Sequence, residues 1–360
     1  MQFKTFSSKN SMTLTPYTFL TPSVATSSKI MIAMLLLQVI LLAATKSFSA
    51  LVTTFSALAA SVACETAFKT GKNNFRTNYP VAVIQGLITG LLIPQNYPFL
   101  IVFIITFFCF LSGKYVFGSF ASSWVNPAAL TVAVLFFLDP SYFPSFTISA
   151  HSLQARNAAL SLIQDGSVKI FTFDYKITDF LNKNIFSFFK ISIPNGYISM
   201  ILDSGSLIPA FRFNFLSLIS LILFISYSIL DFIIPSIFLL AYLLLVRLLL
   251  PNFINGTPLQ GDMLLALLTS GTIFYSTYLL QWYGTTPLTK AGKIFYALTA
   301  AVFAFIIIGF GTSSAGFIFV ILIMNLISPM IQYFENRKAL SSIKKYLLPK
   351  VNAVRENENV

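Results

Sequence analysis

The chain has 360 residues, of which 56% are hydrophobic and 9% are charged, and its formal net charge is +12. Soluble domains carry about 25% charged residues, so the composition argues against a soluble enzyme and indicates a protein embedded in the lipid bilayer. The two cysteines and the single histidine show no metal-binding spacing, so no metal site is predicted.

The chain contains ten apolar stretches, each a candidate membrane-spanning helix. We predict an all-α integral membrane protein with about ten transmembrane helices. Its regions are a polar N-terminal segment (1–29), a first set of five spans (30–139), a polar insert (140–213), a second set of five spans (214–333) and a basic tail (334–360). The predicted spans are 30–45, 48–68, 81–94, 99–113, 127–138, 214–230, 232–249, 263–282, 292–309 and 316–333.

The distribution of basic residues predicts the orientation. An even number of spans puts both termini on one side. Placing them in the cytoplasm leaves only Lys46 and Arg247 in the short outer segments, as the positive-inside rule expects. The insert then faces outward. Because the basic residues lie between apolar stretches and not on a soluble surface, we expect the lipid bilayer and not nucleic acid as their partner.

Five spans on each side of the insert predict two halves of opposite orientation. The segment GLITGLLIPQNYP in the first half is weakly similar to LLTSGTIFYSTYLLQWYGTTP in the second. Inverted repeats of this kind place functional sites near the midplane, between the halves.

Small and polar residues interrupt the apolar stretches at a few positions. Gly86 and Gly90 form a GxxxG pattern, which is typical of close helix packing. The pattern also leaves room beside the backbone for the passage of an ion or a cofactor. Gly118 and the Asn126-Pro127 pair indicate either a broken helix that exposes backbone groups or an ordinary helix start.

Glu65 lies toward the end of the second predicted span. An intramembrane carboxylate is a candidate for the ion path, although Glu65 could equally lie at the interface and pair with Lys69 at i+4. The chain contains no P-loop, GxGxxG motif or Ser-His-Asp order, so we predict no catalytic residue and no enzyme that acts alone.

Motifs along most of the chain resemble one membrane family. SGKYVFGSFASSWVNPAAL resembles the pattern K-x-L-F-G-G-x-G-x-N-x-F-N-P-A, GDMLLALLTSGTIF resembles G-D-P-L-x-H-L-L-S-G-G, and GFIFVILIMNLISPMI resembles G-V-x-F-A-I-L-L-M-N-x-x-x-P-L-I. These patterns belong to the RnfD/NqrB membrane subunits of ion-translocating oxidoreductases, and the short N-terminal region favours the RnfD side.

The resemblance implies a function for the predicted fold. It implies two inverted five-helix halves in a bacterial inner membrane, within a complex that couples ferredoxin/NADH-type electron transfer to Na⁺ or H⁺ movement. It also implies FMN, attached through a phosphoester to a threonine in an outward D-x-x-S-G-A-T motif, and a second, non-covalent flavin. Other membrane and peripheral subunits would supply the remaining redox centres, and Glu65 falls where the family has a glutamate that ends its second span.

The insert departs from this pattern because it contains no S-G-A-T. Its nearest counterpart, FTFDYKITDFL, places Thr178 in the flavin position with Asp174 nearby, and Thr172 is an alternative. By the same resemblance, we expect interrupted spans to hold the cofactor and gate the ion path, at Gly90, Gly118, Asn126, Gly271 and Asn325. Two other hypotheses stay open: a channel or solute transporter on the same fold, and a flavin-free structural subunit.

Overall fold

The fold is known from a computed structural model, which describes residues 22–68, 78–116, 125–145, 147–155, 170–282, 285–309 and 313–358. Within these ranges the regular elements are helices, and no β-strand is present. Among the described residues, five helices are long and apolar enough to cross a bilayer, and shorter apolar helices lie between them. The predicted all-α membrane architecture is therefore confirmed, whereas the number of crossings and the inverted repeat stay predictions.

The first half begins with two long helices joined by a tight turn. The last of the five α-helices described there, α5, starts at the predicted position because Asn126 caps it and Pro127 occupies its first turn. The fourth, α4, continues as a π-helical turn at Leu111–Val116. The bounds are α1 Val24–Ala44, α2 Phe48–Ala67, α3 Asn78–Leu92, α4 Phe99–Phe110 and α5 Pro127–Leu138.

The GxxxG pattern brings α2 and α3 into close contact. A Cβ atom on Gly90 would lie 2.5 Å from the Cα atom of Thr54, and one on Gly86 would lie 2.3 Å from Oγ of Ser61. The Ser61 hydroxyl donates to the carbonyl of Ala82 at 2.8 Å. Helix α3 is continuous through both glycines, so they serve helix packing and do not interrupt the span.

The described part of the insert contains the short α-helices α6 Asp174–Asn184 and α7 Tyr197–Leu202. The second half follows as α8 Asn214–Ser226, α9 Ile233–Leu248, α10 Leu250–Phe253, α11 Met263–Thr269, α12 Thr272–Tyr278, α13 Lys290–Ala304 and α14 Gly316–Glu358. Helix α13, like α4, continues as a π-helical turn, Phe305–Gly309.

Two predicted spans of the second half differ from the structure. The predicted single span 263–282 is two short helices, α11 and α12, because Gly271 between them adopts a left-handed conformation with φ of 69°. The predicted span 316–333 is the first part of a 43-residue helix, α14, because no glycine ends the helix at residue 333 and Pro329 does not interrupt it.

The insert packs against one end of the helices. It hydrogen-bonds to the α1–α2 turn, the α3–α4 loop, the α9–α11 segment and the α13–α14 loop. Together with the insert itself, these are every second connection between the predicted spans along the chain. When successive segments each cross a membrane, every second connection lies on the same side of that membrane. The bonds join Arg212 Nη1 to Ser47 Oγ (2.6 Å), Gln95 N to Leu207 O (3.1 Å), Asp262 N to Leu153 O (3.1 Å) and Ser314 Oγ to Pro144 O (2.7 Å).

Candidate functional site

A buried ion pair joins the ends of α2 and α4. The Glu65 carboxylate accepts hydrogen bonds through Oε2 from the Lys114 ammonium group and, at 2.7 Å, from the Tyr115 hydroxyl. The side chains of Glu65 and Lys114 are only 3% and 7% exposed. The ammonium group also lies 5.5 Å from the centroid of the Tyr115 ring, so charged and aromatic groups enclose the carboxylate.

The local structure of α4 positions this lysine. Lys114 and Tyr115 lie in the π-helical turn, which follows an apolar helical stretch. A π-turn adds a residue to the helical repeat and changes the direction of the side chains, and such turns occur often at functional sites. Lys69, the alternative partner considered for Glu65, lies outside the described residues.

The second half contains a related ion pair between α13 and the segment that precedes α9. The Lys293 ammonium group, near the start of α13, bonds to the Asp231 carboxylate, just before α9. The Gln281 side chain accepts from the Asp231 N–H and donates to its carbonyl, both at 2.9 Å. This pair is more exposed than the pair of Glu65 and Lys114.

In the insert, Thr178 lies on α6, one turn after Asp174. Its hydroxyl donates to Asp174 Oδ1 at 3.0 Å, and the same carboxylate accepts from the Gly196 N–H at 3.0 Å. The Ser199 N–H, at 2.7 Å, and the Ser199 hydroxyl bind the other oxygen. Asp174 is fully buried and Thr178 is 3% exposed. Their hydrogen bonds therefore hold α6 against the start of α7 in a buried position.

The hydrogen bonds determine the charge of Asp174. Burial is the largest single influence on its pKa and disfavours the charged form. The bonds from Ser199, Gly196 and Thr178 act in the opposite direction and together prevail, so the pKa of Asp174 lies below its ordinary value. The carboxylate is therefore negatively charged at neutral pH.

This environment does not fit covalent FMN at Thr178. A phosphoester there would put a second negative charge beside the Asp174 carboxylate, which already accepts hydrogen bonds on both oxygens. The cavity that Thr178 lines is otherwise mostly apolar and offers a phosphate little compensation for lost hydration. Thr172 is exposed, so its hydroxyl is the accessible one. Attachment of flavin at either threonine stays a prediction.

The break at Gly271 is a point of close contact between the insert and the second half. A Cβ atom on Gly271 would lie 2.2 Å from the Phe211 ring. Phe211 is buried, and its ring centroid lies 5.7 Å from that of Tyr275, which stacks on Phe317 at 4.3 Å. Gly271 therefore allows an aromatic side chain of the insert to pack at the junction of α11 and α12.

The other predicted cofactor residues lie in different local environments. Gly90 packs against α2, and Asn126 caps α5 through bonds from the Ala128 N–H (3.0 Å) and the Ala129 N–H (3.4 Å). Asn325 is buried in α14, and its Nδ2 has no hydrogen-bond partner among the described residues. Such a buried donor can accommodate a ligand or a water molecule. Gly118 lies outside the described residues.

Sequence reasoning missed two partners in these sites. It did not pair Glu65 with Lys114, although a lone lysine after an apolar stretch was a usable signal. It also placed Asp174 near Thr178 without pairing the two, although they have the i,i+4 spacing of one helix face.

Comparison with known proteins gives one result at the level of the family. No curated protein matches the chain. A protein-family model, described as the NQR2, RnfD, RnfE family, matches residues 11–341. This range is nearly the whole sequence. The chain therefore belongs to the NQR2, RnfD, RnfE family, which confirms the resemblance to RnfD/NqrB membrane subunits.

Proposed function

We propose that the protein is an RnfD-like membrane subunit of a complex that couples ferredoxin/NADH-type electron transfer to the movement of Na⁺ or H⁺ across a bacterial inner membrane. Membership of the NQR2, RnfD, RnfE family supports a role in such redox complexes. The observation that carries the ion-translocating part is the buried Glu65–Lys114 pair between two apolar helices. The partners are then the other membrane and peripheral subunits.

The proposed topology has ten crossings in two inverted halves, with both termini in the cytoplasm. Hydrogen bonds from the insert to alternate connections support it. In the first half α2 packs against α4, in the second half α9 packs against α13, and both α4 and α13 continue as a π-helical turn. Under this topology, the pairs Glu65–Lys114 and Asp231–Lys293 both lie toward the cytoplasmic face.

The role we propose for Glu65 follows from competition for its carboxylate. Na⁺ needs oxygen ligands, and H⁺ needs a basic site. Either ion, when it reaches Glu65, competes with the Lys114 ammonium group for the same negative charge. Arrival of the ion releases the lysine, and return of the lysine displaces the ion. Such an exchange allows the site to hold a cation and then release it.

The test measures ion uptake and electron transfer separately in membrane vesicles that contain the assembled complex. Glu65→Gln removes the charge for which the ion and Lys114 compete. We expect ion uptake per electron to fall at least tenfold while electron transfer continues. Asp179→Asn, which changes an exposed ion pair with Lys183, is the control and should leave both rates unchanged. Unchanged coupling in the Glu65 variant would exclude this role.

The burial of Thr178 favours a second candidate, a flavin-free structural subunit of the same complex. In-gel flavin fluorescence of the denatured chain separates the candidates, with Thr172→Ala and Thr178→Ala compared in parallel. Fluorescence that disappears only with Thr172→Ala assigns the accessible hydroxyl, and fluorescence that disappears only with Thr178→Ala restores the first prediction. Absence of flavin from both denatured and native protein favours the structural subunit or a channel or solute transporter.

A further inference from the structure

We propose that the insert and the second half together form a binding site for one anionic phospholipid, with a hydrocarbon chain in an apolar cavity and the headgroup in an adjoining polar groove. The proposal requires that the protein is a multi-pass membrane protein and does not depend on a redox role.

The cavity lies between the insert and the outer part of the second half. Its volume is about 300 Å³, and α6, α7, α8, α11 and α12 line it. That volume is at the lower end of the range found for small-molecule sites. The lining is mostly aliphatic and aromatic, and includes Leu181, Ile198, Ile201 and Leu267.

The polar side chains of the lining already have protein partners. Thr178 donates to Asp174, and Tyr197 donates to Asp262. The Asn182 amide exchanges two hydrogen bonds with the backbone of Ile193, at 2.8 and 2.9 Å. Asn214, the remaining polar residue of the lining, donates to the carbonyls of Met200 (3.2 Å) and Leu268 (2.7 Å). Because these donors are engaged, the cavity suits a hydrocarbon chain better than a polar ligand.

The cavity is continuous with a surface suited to lipid. Leu218 and Leu264 line it and are also exposed, and Ile222 extends the exposed apolar surface one turn further along α8. On a membrane protein, a contiguous exposed apolar surface such as this one suits contact with lipid hydrocarbon. A lipid chain can therefore enter from the bilayer side.

A polar groove of about 500 Å³ adjoins the cavity. The two share Asn182 and Ile193 in their linings, and Lys176 and Asn195 line the groove only. The groove also contains Asp179, which pairs with Lys183 at 2.6 Å. That pairing leaves the Lys176 ammonium group as the cation best placed for a phosphate, with the Asn195 amide as a further donor.

The rest of this part of the insert also suits a membrane surface. In the segment from Asp174 to Lys190, Phe180, Phe188 and Phe189 are each more than half exposed, and the exposed Lys190 follows them directly in the sequence. Exposed aromatic residues beside lysines are typical of segments that lie in the interface of an anionic bilayer. The occupant we infer is accordingly a phospholipid with a net negative headgroup, such as phosphatidylglycerol.

The test measures lipid retained by the full chain in its complex, purified from nanodiscs that contain phosphatidylcholine and phosphatidylglycerol, by native mass spectrometry. We expect retention of phosphatidylglycerol over phosphatidylcholine. Lys176→Gln should weaken this retention about fivefold, since a basic residue near a membrane surface contributes about that factor. Ile198→Phe, which fills the cavity, should weaken it at least tenfold. Lys46→Gln, an exposed lysine in the α1–α2 turn, should change nothing.

Several outcomes would overturn the proposal. Retention unaffected by Ile198→Phe means that the lipid is only part of the surrounding layer. Equal effects of Lys46→Gln and Lys176→Gln mean that total charge and not the groove is responsible. If an isoprenoid quinone displaces the retained lipid and added phosphatidylglycerol does not, the cavity belongs to another ligand. If the chain loses the lipid when the complex assembles, the surface belongs to a partner subunit. If Ile198→Phe lowers stability, the exposed Lys176 variant decides the question.

Discussion

Glu65 and Lys114 are 49 residues apart in the sequence, yet the ammonium group of one directly contacts the carboxylate of the other. Both side chains are buried, and both lie at the ends of helices long enough to cross a bilayer. Removing two charges from water costs several kcal/mol per ion, and their attraction offsets this cost only when the geometry is good. The pair therefore constrains how α2 and α4 pack.

Removing one charge of this pair should destabilise the protein more than removing both charges. Lys114→Gln leaves the Glu65 carboxylate buried without its cation, and we expect a loss of about 3–5 kcal/mol. The double variant Glu65→Gln/Lys114→Gln should lose less than the Lys114 variant alone. Thermal unfolding of the detergent-solubilised protein measures the difference, and Lys183→Gln, from the exposed pair, should change stability by less than about 0.5 kcal/mol. Additive losses in the double variant would mean that the charges are not coupled.

Two glycines with the same backbone conformation should respond differently to substitution. Gly205 and Gly271 both have φ of 69°, but a Cβ atom on Gly205 meets no atom within 4 Å, whereas one on Gly271 collides with Phe211. Gly205→Ala should lower the free energy of unfolding by about 1–2 kcal/mol, because alanine disfavours the left-handed conformation. Gly271→Ala should lower it by this amount and by about 1–3 kcal/mol more, because the new methyl group overpacks against Phe211. Thermal unfolding measures both, and Phe211→Leu should recover part of the second loss. Equal losses at the two glycines would contradict the close contact.

Local signals in the sequence located many of the helices. Helix α5 has the predicted bounds because Asn126 and Pro127 begin it and Asp139 follows it, and each is a signal carried by one or two residues. The left-handed Gly271 divides a stretch that apolar composition alone indicated as one span. Composition reports how much of a segment is apolar and does not report the φ angle of one residue.

The candidate sites were harder to predict because they join residues that are distant in the sequence. Spacing suggested a local partner for Glu65, whereas its described partners, Lys114 and Tyr115, come from another helix. The family pattern indicated an accessible threonine at Thr178, whereas the structure buries it against Asp174. A pattern of residue types does not show that a hydroxyl is already hydrogen-bonded, since that depends on how α6 and α7 pack.

The packing of α2 against α3 provides a test of the GxxxG pattern. Gly90→Ala would place a methyl group 2.5 Å from the Thr54 backbone, whereas the nearest atom to a Cβ on Gly113 is 3.6 Å away. Backbone atoms of a packed helix do not move aside easily, so Gly90→Ala should force the helices apart and cost about 1–3 kcal/mol. Gly113→Ala should be nearly neutral. Thermal unfolding of the two variants gives the comparison, and tolerance of alanine at Gly90 would mean that α2 and α3 pack less closely than described.

The stability of the insert should depend on pH through Asp174. Its pKa is lower in the folded protein than in the unfolded chain, because the hydrogen bonds to the carboxylate together prevail over burial. A lowered folded pKa contributes stability that is present above the unfolded pKa and is lost as the pH falls through the folded pKa. Hydrogen exchange over residues 170–200, corrected for the intrinsic rate, should therefore show lower protection at pH 3 than at pH 5. Asp174→Asn should reduce protection at pH 5 and remove this part of the pH dependence, whereas Asp179→Asn, on the exposed side of α6, should retain it. The same pH dependence in wild type and Asp174→Asn would show that another group controls the acid sensitivity of the insert.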